Sequence, residues 1–177
     1  MESGKELEEK IKEKIRSIPD YPKKGIIFRD ITPLLRDGPL FRACIDAIAE
    51  HFKGRVDAVA GVEARGFIIG SAVAYKLGKG FIPIRKEGKL PYEKVKKTYS
   101  LEYGEETIEI HKDALAKGER ILLVDDLLAT GGTAKASCEL IESLGGKIAG
   151  IAFIIELTDL HGRDKLSGKE VFTLAKY

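Results

Sequence analysis

Two adjacent acids followed by a glycine-rich step are the most chemically suggestive feature of this 177-residue chain. They lie in Ile121 to Ala134, ILLVDDLLATGGTA. Glycines let the backbone approach an anion closely, and a helix N-terminus presents unpaired N–H groups with partial positive charge. Ala129, Thr130, Gly131, Gly132 and Thr133 are therefore candidates to cradle a phosphate, with the two threonine hydroxyls as extra donors. Asp125 and Asp126, just before the loop, suit the two hydroxyls of a ribose whose 5-phosphate sits in it. Taken alone, the Gly-Gly-Thr step would serve a tight turn with a capping threonine. Strand, paired acids and glycine turn together are more specific. No Gly-Lys pair is followed by Ser or Thr, so a Walker A loop is absent, and no GxGxxG occurs.

Other candidates lie elsewhere. In VEARGFIIG, Val62 to Gly70, a strand ends at Glu63 and a helix begins after Arg65. Free N–H groups at that helix start, with the Arg65 guanidinium, suit a pyrophosphate; a surface pair between Glu63 and Arg65 is the alternative. The segment IRKEGKLPYEKVKKTYSLEYG, Ile84 to Gly104, sets Arg85, Lys86, Lys89, Lys94, Lys96 and Lys97 against Glu87 and Glu93. Such a charge run reads either as a solvated loop or as a lid over a charged substrate.

The surrounding elements must position these groups. Leu7, Ile11, Ile15 and Ile18 recur at helical spacing after a capping-box pattern at Ser3 and Glu6, which predicts a helix ending near Pro19. Asp20 to Asp37 reads as an irregular connection. A second helix begins near Asp37 and Pro39 with the stripe Leu40, Cys44, Ile45, Ile48 and Phe52. Strands are predicted over Val56 to Val62, Phe81 to Ile84, Ile121 to Val124 and Ile148 to Ile155, with an edge strand over Val171 to Leu174. Helices are predicted over Gly66 to Leu77 and Thr133 to Leu144. Arg85 to Lys97 reads as a loop, and Tyr99 to Ile110 as a hairpin around Gly104. The alternation predicts an α/β fold, an open parallel sheet flanked by helices on both faces.

Composition narrows the function. A net charge of +2 gives no basis for wholesale nucleic-acid binding. No apolar run approaches the ~18 residues of a membrane span, and the charged N-terminal stretch is no signal peptide. Cys44 and Cys138 form no CxxC pair and read as buried free thiols of a reducing compartment. His51, His111 and His161 are too scattered to bind a metal together.

The run VDDLLATGGT resembles the phosphoribosyl pyrophosphate signature of the type I phosphoribosyltransferases. PKKGIIFRDITPLL, VEARGFIIG and LEYG resemble the adenine-specific branch, and together the likeness spans nearly the whole chain. It implies the type I fold as a single domain over 1–177, with a helix and base hood in 1–36 and a flexible lid loop in 85–104. It implies transfer of the phosphoribosyl group of phosphoribosyl pyrophosphate to adenine, giving AMP and pyrophosphate, with Mg²⁺ as cofactor. A cytoplasmic homodimer is implied, without nucleic-acid or membrane partners. By the same likeness, Ile27 reads the adenine edge, Phe28 packs on the ring and Arg29 sits close by. Glu102 is the acid/base group and Tyr103 helps close the site. Arg65, Arg85, Lys86 and Lys89 gather the pyrophosphate charge, Lys89 across a dimer interface. Asp125 and Asp126 face the ribose and the metal, directly or through water. A strained or cis peptide is implied near Glu63–Ala64–Arg65. Lys94 departs from the pattern, which has a small hydroxyl residue there. The phosphate signature also occurs in synthetases and purine-responsive regulators, but 177 residues leave no room for ATP machinery or a DNA-binding domain. Guanine, xanthine or orotate remains the alternative acceptor.

Overall fold

The computed structural model describes residues 4–101 and 104–177. The expectations for Ser3, Glu102 and Tyr103 fall outside the described residues. A seven-stranded sheet runs in the order β5-β6-β4-β3-β7-β8-β9. Its parallel part comprises β3 (Ala58–Val62), β4 (Gly80–Lys86), β7 (Arg120–Leu128), β8 (Lys147–Glu156) and β9 (Val171–Lys176). A hairpin of β5 (Lys94–Leu101) and β6 (Gly104–His111) adds an antiparallel edge beside β4.

Each central strand is buried on both sides, which accounts for its near-continuous apolar run. One core cluster joins Val59, Leu122, Val124 and Ile154 to α3 (Gly38–Phe52) and α4 (Arg65–Leu77). The other joins Ala60, Leu123, Ile151 and Phe153 to α5 (Gly132–Ser143) through Cys138 and Ile141. The stripe Leu40, Cys44, Ile45, Ile48 and Phe52 is buried as its spacing predicts, and Asp37 caps α3 by accepting from Leu40 N at 3.1 Å. Burying one such Ile or Phe stabilises the fold by ~1.5–3 kcal/mol. Both cysteines are buried and unbridged, and burial pushes the Cys138 thiol up to about 12. No helix among the described residues is long and apolar enough to cross a membrane.

Three expectations need correction. The first helix, α1, spans Gly4–Lys14 and stops short of Pro19. Ile18 lies instead in β1 (Arg16–Pro19), which pairs antiparallel with β2 (Ile27–Asp30). The connection after Asp20 is correspondingly ordered, through β2 and α2 (Thr32–Arg36). The loop expected over Arg85 to Lys97 is short, because β4 runs to Lys86 and β5 starts at Lys94. Exposed Lys96 and Lys97 conceal the strand by pairing with Glu87 (2.6 Å) and Glu139 (2.8 Å). The expected open sheet flanked by helices stands, mostly parallel, with the hairpin as its antiparallel edge.

Candidate active site

Strand β3 has β4 on one side and β7 on the other, so the order of the parallel sheet reverses there. Side crossovers diverge at such a point and leave a crevice beyond the C-terminal strand ends. A cavity of about 450 Å³ opens there, within the range of ordinary ligand pockets. It is lined by Glu63 to Arg65 after β3, by Asp125 to Thr133 along and after β7, by Lys86 at the end of β4, and by Tyr99 and Glu106 from the hairpin.

Gly131 has φ +81°, a left-handed conformation, and opens α5 without a side-chain cap. The first N–H groups of that helix are thus left for a ligand. A Cβ on Gly131 would stand 2.4 Å from the carbonyl oxygen of Gly162, so only glycine fits. Helix α4 likewise starts without a side-chain cap, and the Glu63–Ala64 peptide before it is cis. Gly66 brings that helix onto β7, because a Cβ there would meet Asp125 Oδ1 at 2.9 Å.

Asp126 is 3% exposed and pairs with Arg65, Oδ2 to Nε 2.5 Å. Asp125 Oδ1 accepts from the Asp126 amide at 2.9 Å. Removal from water, and then the Asp126 charge, pushes the Asp125 carboxyl well above the usual carboxylate range. Among the described residues no three His, Cys, Asp or Glu side chains group as a metal cage. Two neighbouring carboxylates fit a magnesium ion, which keeps several waters and takes further oxygens from substrate phosphates.

Glu63 pairs with Arg85 (3.3 Å) and accepts from the Lys86 amide, so the alternative pair with Arg65 does not form. Arg85 donates to the Lys89 carbonyl at 3.3 Å, and neither Arg85 nor Lys89 lines the cavity. Lys86 does, with its ammonium 2.7 Å from Glu106. Ile27 is exposed, while the Phe28 ring lies 5.5 Å from the Arg65 guanidinium. Arg29 turns away, stacking over Tyr177 at 4.1 Å. Lys94 donates to the Leu90 carbonyl at 2.7 Å, beside the fully buried Glu109, which accepts from Leu90 N at 2.9 Å.

Two polar cavity residues, Tyr99 and Glu106, were not singled out by sequence. The Tyr99 hydroxyl donates to Glu106 at 2.6 Å and lies 2.8 Å from the Thr133 hydroxyl, tying the hairpin to the loop. Burial raises the Tyr99 hydroxyl, with Glu106 adding to the shift. Burial would raise Glu106 too, but bonds from Lys86 and Tyr99 outweigh it and hold its carboxyl below the usual range. The alternation of β5 and β6 was the only available signal for this pair.

Comparison with known proteins agrees with this geometry. The Phosphoribosyl transferase domain family matches residues 31–175. An adenine phosphoribosyltransferase of Halothermothrix orenii is 58% identical over 165 residues, covering 93% of this chain and 97% of the relative. The crystal structure of adenine phosphoribosyltransferase from Thermoanaerobacter pseudethanolicus has a TM-score of 0.93 at 54% identity, over 96% of this chain and 99% of that one. The Saccharomyces cerevisiae enzyme, complexed with an imino-altritol bisphosphate and adenine, has a TM-score of 0.90 at 41% identity, covering 95% and 98% of the two chains.

Proposed function

The chain belongs to the phosphoribosyl transferase family, among its adenine phosphoribosyltransferases, and from that premise we infer its reaction and the residues that carry it. It transfers the 5-phosphoribosyl group of phosphoribosyl pyrophosphate to adenine, giving AMP and pyrophosphate. The supporting observation for the residue roles is one cavity lined by Asp125, Asp126, the Ala129 to Thr133 loop and Arg65.

Loss of pyrophosphate from the anomeric carbon builds positive charge on the sugar and negative charge on the leaving group. Catalysis then rests on groups arranged in advance for both charges. The Ala129 to Thr133 amides and hydroxyls hold the 5-phosphate. Asp125 and Asp126 orient the ribose hydroxyls and offset the sugar's charge. Arg65 and the free N–H groups opening α4 take the pyrophosphate, assisted by Lys86 once it leaves Glu106. Magnesium, when bound, supplies neutralisation of pyrophosphate oxygens. Phe28, packed near Arg65, and Ile27 cover the adenine, with Arg29 behind them. Glu102 accepts or orients the acceptor's proton, and Tyr103 closes the site with the hairpin. Arg85 helps gather the leaving charge, Lys89 does so across a homodimer interface, and the enzyme works in the cytoplasm. Closure excludes water, which would otherwise capture the activated sugar.

Pyrophosphate release should be measured with phosphoribosyl pyrophosphate and adenine, guanine, hypoxanthine or orotate, with and without Mg²⁺. Turnover is expected with adenine and Mg²⁺ only. Equal turnover with guanine or orotate would overturn the acceptor assignment, and full activity in chelator would overturn the metal.

A further inference from the structure

We propose that Arg163 and Glu156 are positioning residues for the phosphate loop, acting through Gly162. The inference rests on the reading of Ala129 to Thr133 as that loop. Glu156 ends β8 in register with Leu128, the residue just before the loop, and is 4% exposed. Arg163 grips it with two bonds, Nε to Oε1 at 2.6 Å and Nη2 to Oε2 at 2.7 Å. Thr173 donates to the same carboxylate at 3.0 Å, and Arg163 also donates to the Val171 carbonyl at 3.0 Å. The bidentate arginine therefore cinches residues 157–163 into a closed turn from the end of β8 back to the first residues of β9.

That turn presses on the loop. A Cβ added to Gly162 would stand 2.4 Å from the Ala129 carbonyl oxygen, and one on Gly131 would stand 2.4 Å from the Gly162 carbonyl oxygen. Leu157 N donates to Leu128 O at 2.9 Å, and Leu166 is buried beyond the turn. Two backbones thus meet at glycine-only distance, one carrying the anion-binding amides and the other fixed by Arg163. Arg163 itself does not line the cavity. Its influence must pass through the position of Gly162, and so through the left-handed bend at Gly131.

Planar, two-pronged geometry makes Lys a poor substitute for Arg at such a site. Removing Arg163 alone would strand a buried carboxylate, which is strongly destabilising, whereas replacing both partners by apolar residues of similar size is often tolerated. The test therefore uses Arg163→Lys, the double variant Glu156→Leu/Arg163→Met, and Gly162→Ala, which leaves the ion pair intact. AMP affinity is read by titration, alongside KM for phosphoribosyl pyrophosphate and for adenine, with thermal melting to establish folding. A small displacement of a binding group can cost up to 10²-fold, so a rise of about tenfold is expected in the AMP dissociation constant and in KM for phosphoribosyl pyrophosphate. KM for adenine, taken at saturating phosphoribosyl pyrophosphate, should stay within about twofold. A purely structural role would lower the melting temperature without separating the two substrates. Folded variants with parental AMP affinity, or with equal rises in both KM values, would overturn the proposal. Should the double variant fail to fold, Arg163→Lys and Gly162→Ala decide by the same readings. Thr133→Ala is the control for the loop itself. If it leaves AMP affinity unchanged, the phosphate reading fails; if it weakens AMP while the other variants do not, only the positioning role fails.

Discussion

The segment from β7 into α5 and the hairpin of β5 and β6 face each other across the cavity, and they are built on opposite plans. The first is held by backbone and burial. Ile121 to Val124 are at most 1% exposed, each parallel partner is fixed by register, and the loop ends on the uncapped main-chain amides that open α5. The hairpin sits at the sheet edge: its two strands ladder to each other and Ile108 and Ile110 are buried, but it meets β4 at two register positions, and exposed pairs tie down the rest, Lys86 with Glu106, Lys96 with Glu87 and Lys97 with Glu139. Exposed pairs of this sort contribute ~0–1 kcal/mol each, far less than the parallel core. A phosphate is the same anion in every turnover and suits a rigid cradle. On the proposed reaction, closure over the base would fall to the hairpin. The Tyr99 hydroxyl on Thr133 is a stitch between the two plans, beside the Lys97–Glu139 pair.

The largest expected effect lies on the rigid side. Asp125→Asn/Asp126→Asn should lower kcat/KM by about 10³-fold or more, since two charge-stabilising groups go at once. Loss below tenfold would mean the paired acids serve structure alone. Glu102→Gln should lower kcat by ~10²–10⁴-fold with the melting temperature unchanged, while Glu105→Gln stays nearly silent. If both variants turn over adenine like the parent, the hairpin only closes the site. Tyr99→Phe removes the stitch and costs about 0.5–1.5 kcal/mol of local stability. Amide exchange should quicken in β5 and β6 and stay unchanged in β7; equal acceleration in both would merge the two regions into one.

The smallest effect lies outside both. Glu170 receives Arg55 and His51, which lower its carboxyl from 4.5 to about 2. Its stabilisation is therefore fully present above about pH 4.5 and is lost as pH falls toward about 2. Acid unfolding of Glu170→Gln should lack this component, and because Glu170 is 40% exposed the difference should be slight. A steeper acid transition in the variant would refute the sign.

The same contrast decides what could be read from the residues. Buried parallel strands write themselves as apolar runs, so Ile121 to Val124 was visible, as was the glycine step after it. The extension of β7 through Asp125 to Leu128 was hidden because two acids interrupt the run, although Leu127 and Leu128 still pair with Ile155 and Glu156. Strand β5 was hidden because its outward lysines satisfy ion pairs instead of an apolar face. Ile18 fits helical spacing as well as the strand it joins, and pairing with Phe28 decides between them. The Arg163 clamp could not be seen, since nothing in its spacing marks contacts made to two strands, β8 and β9.

Cys138 has a use beyond packing. On the buried face of α5, its thiol is pushed up to about 12 by burial, and only the thiolate is reactive. In the folded chain it is therefore almost inert to alkylating reagents at neutral pH. Its labelling is a clock for opening of that face of the sheet, with no probe added to the molecule.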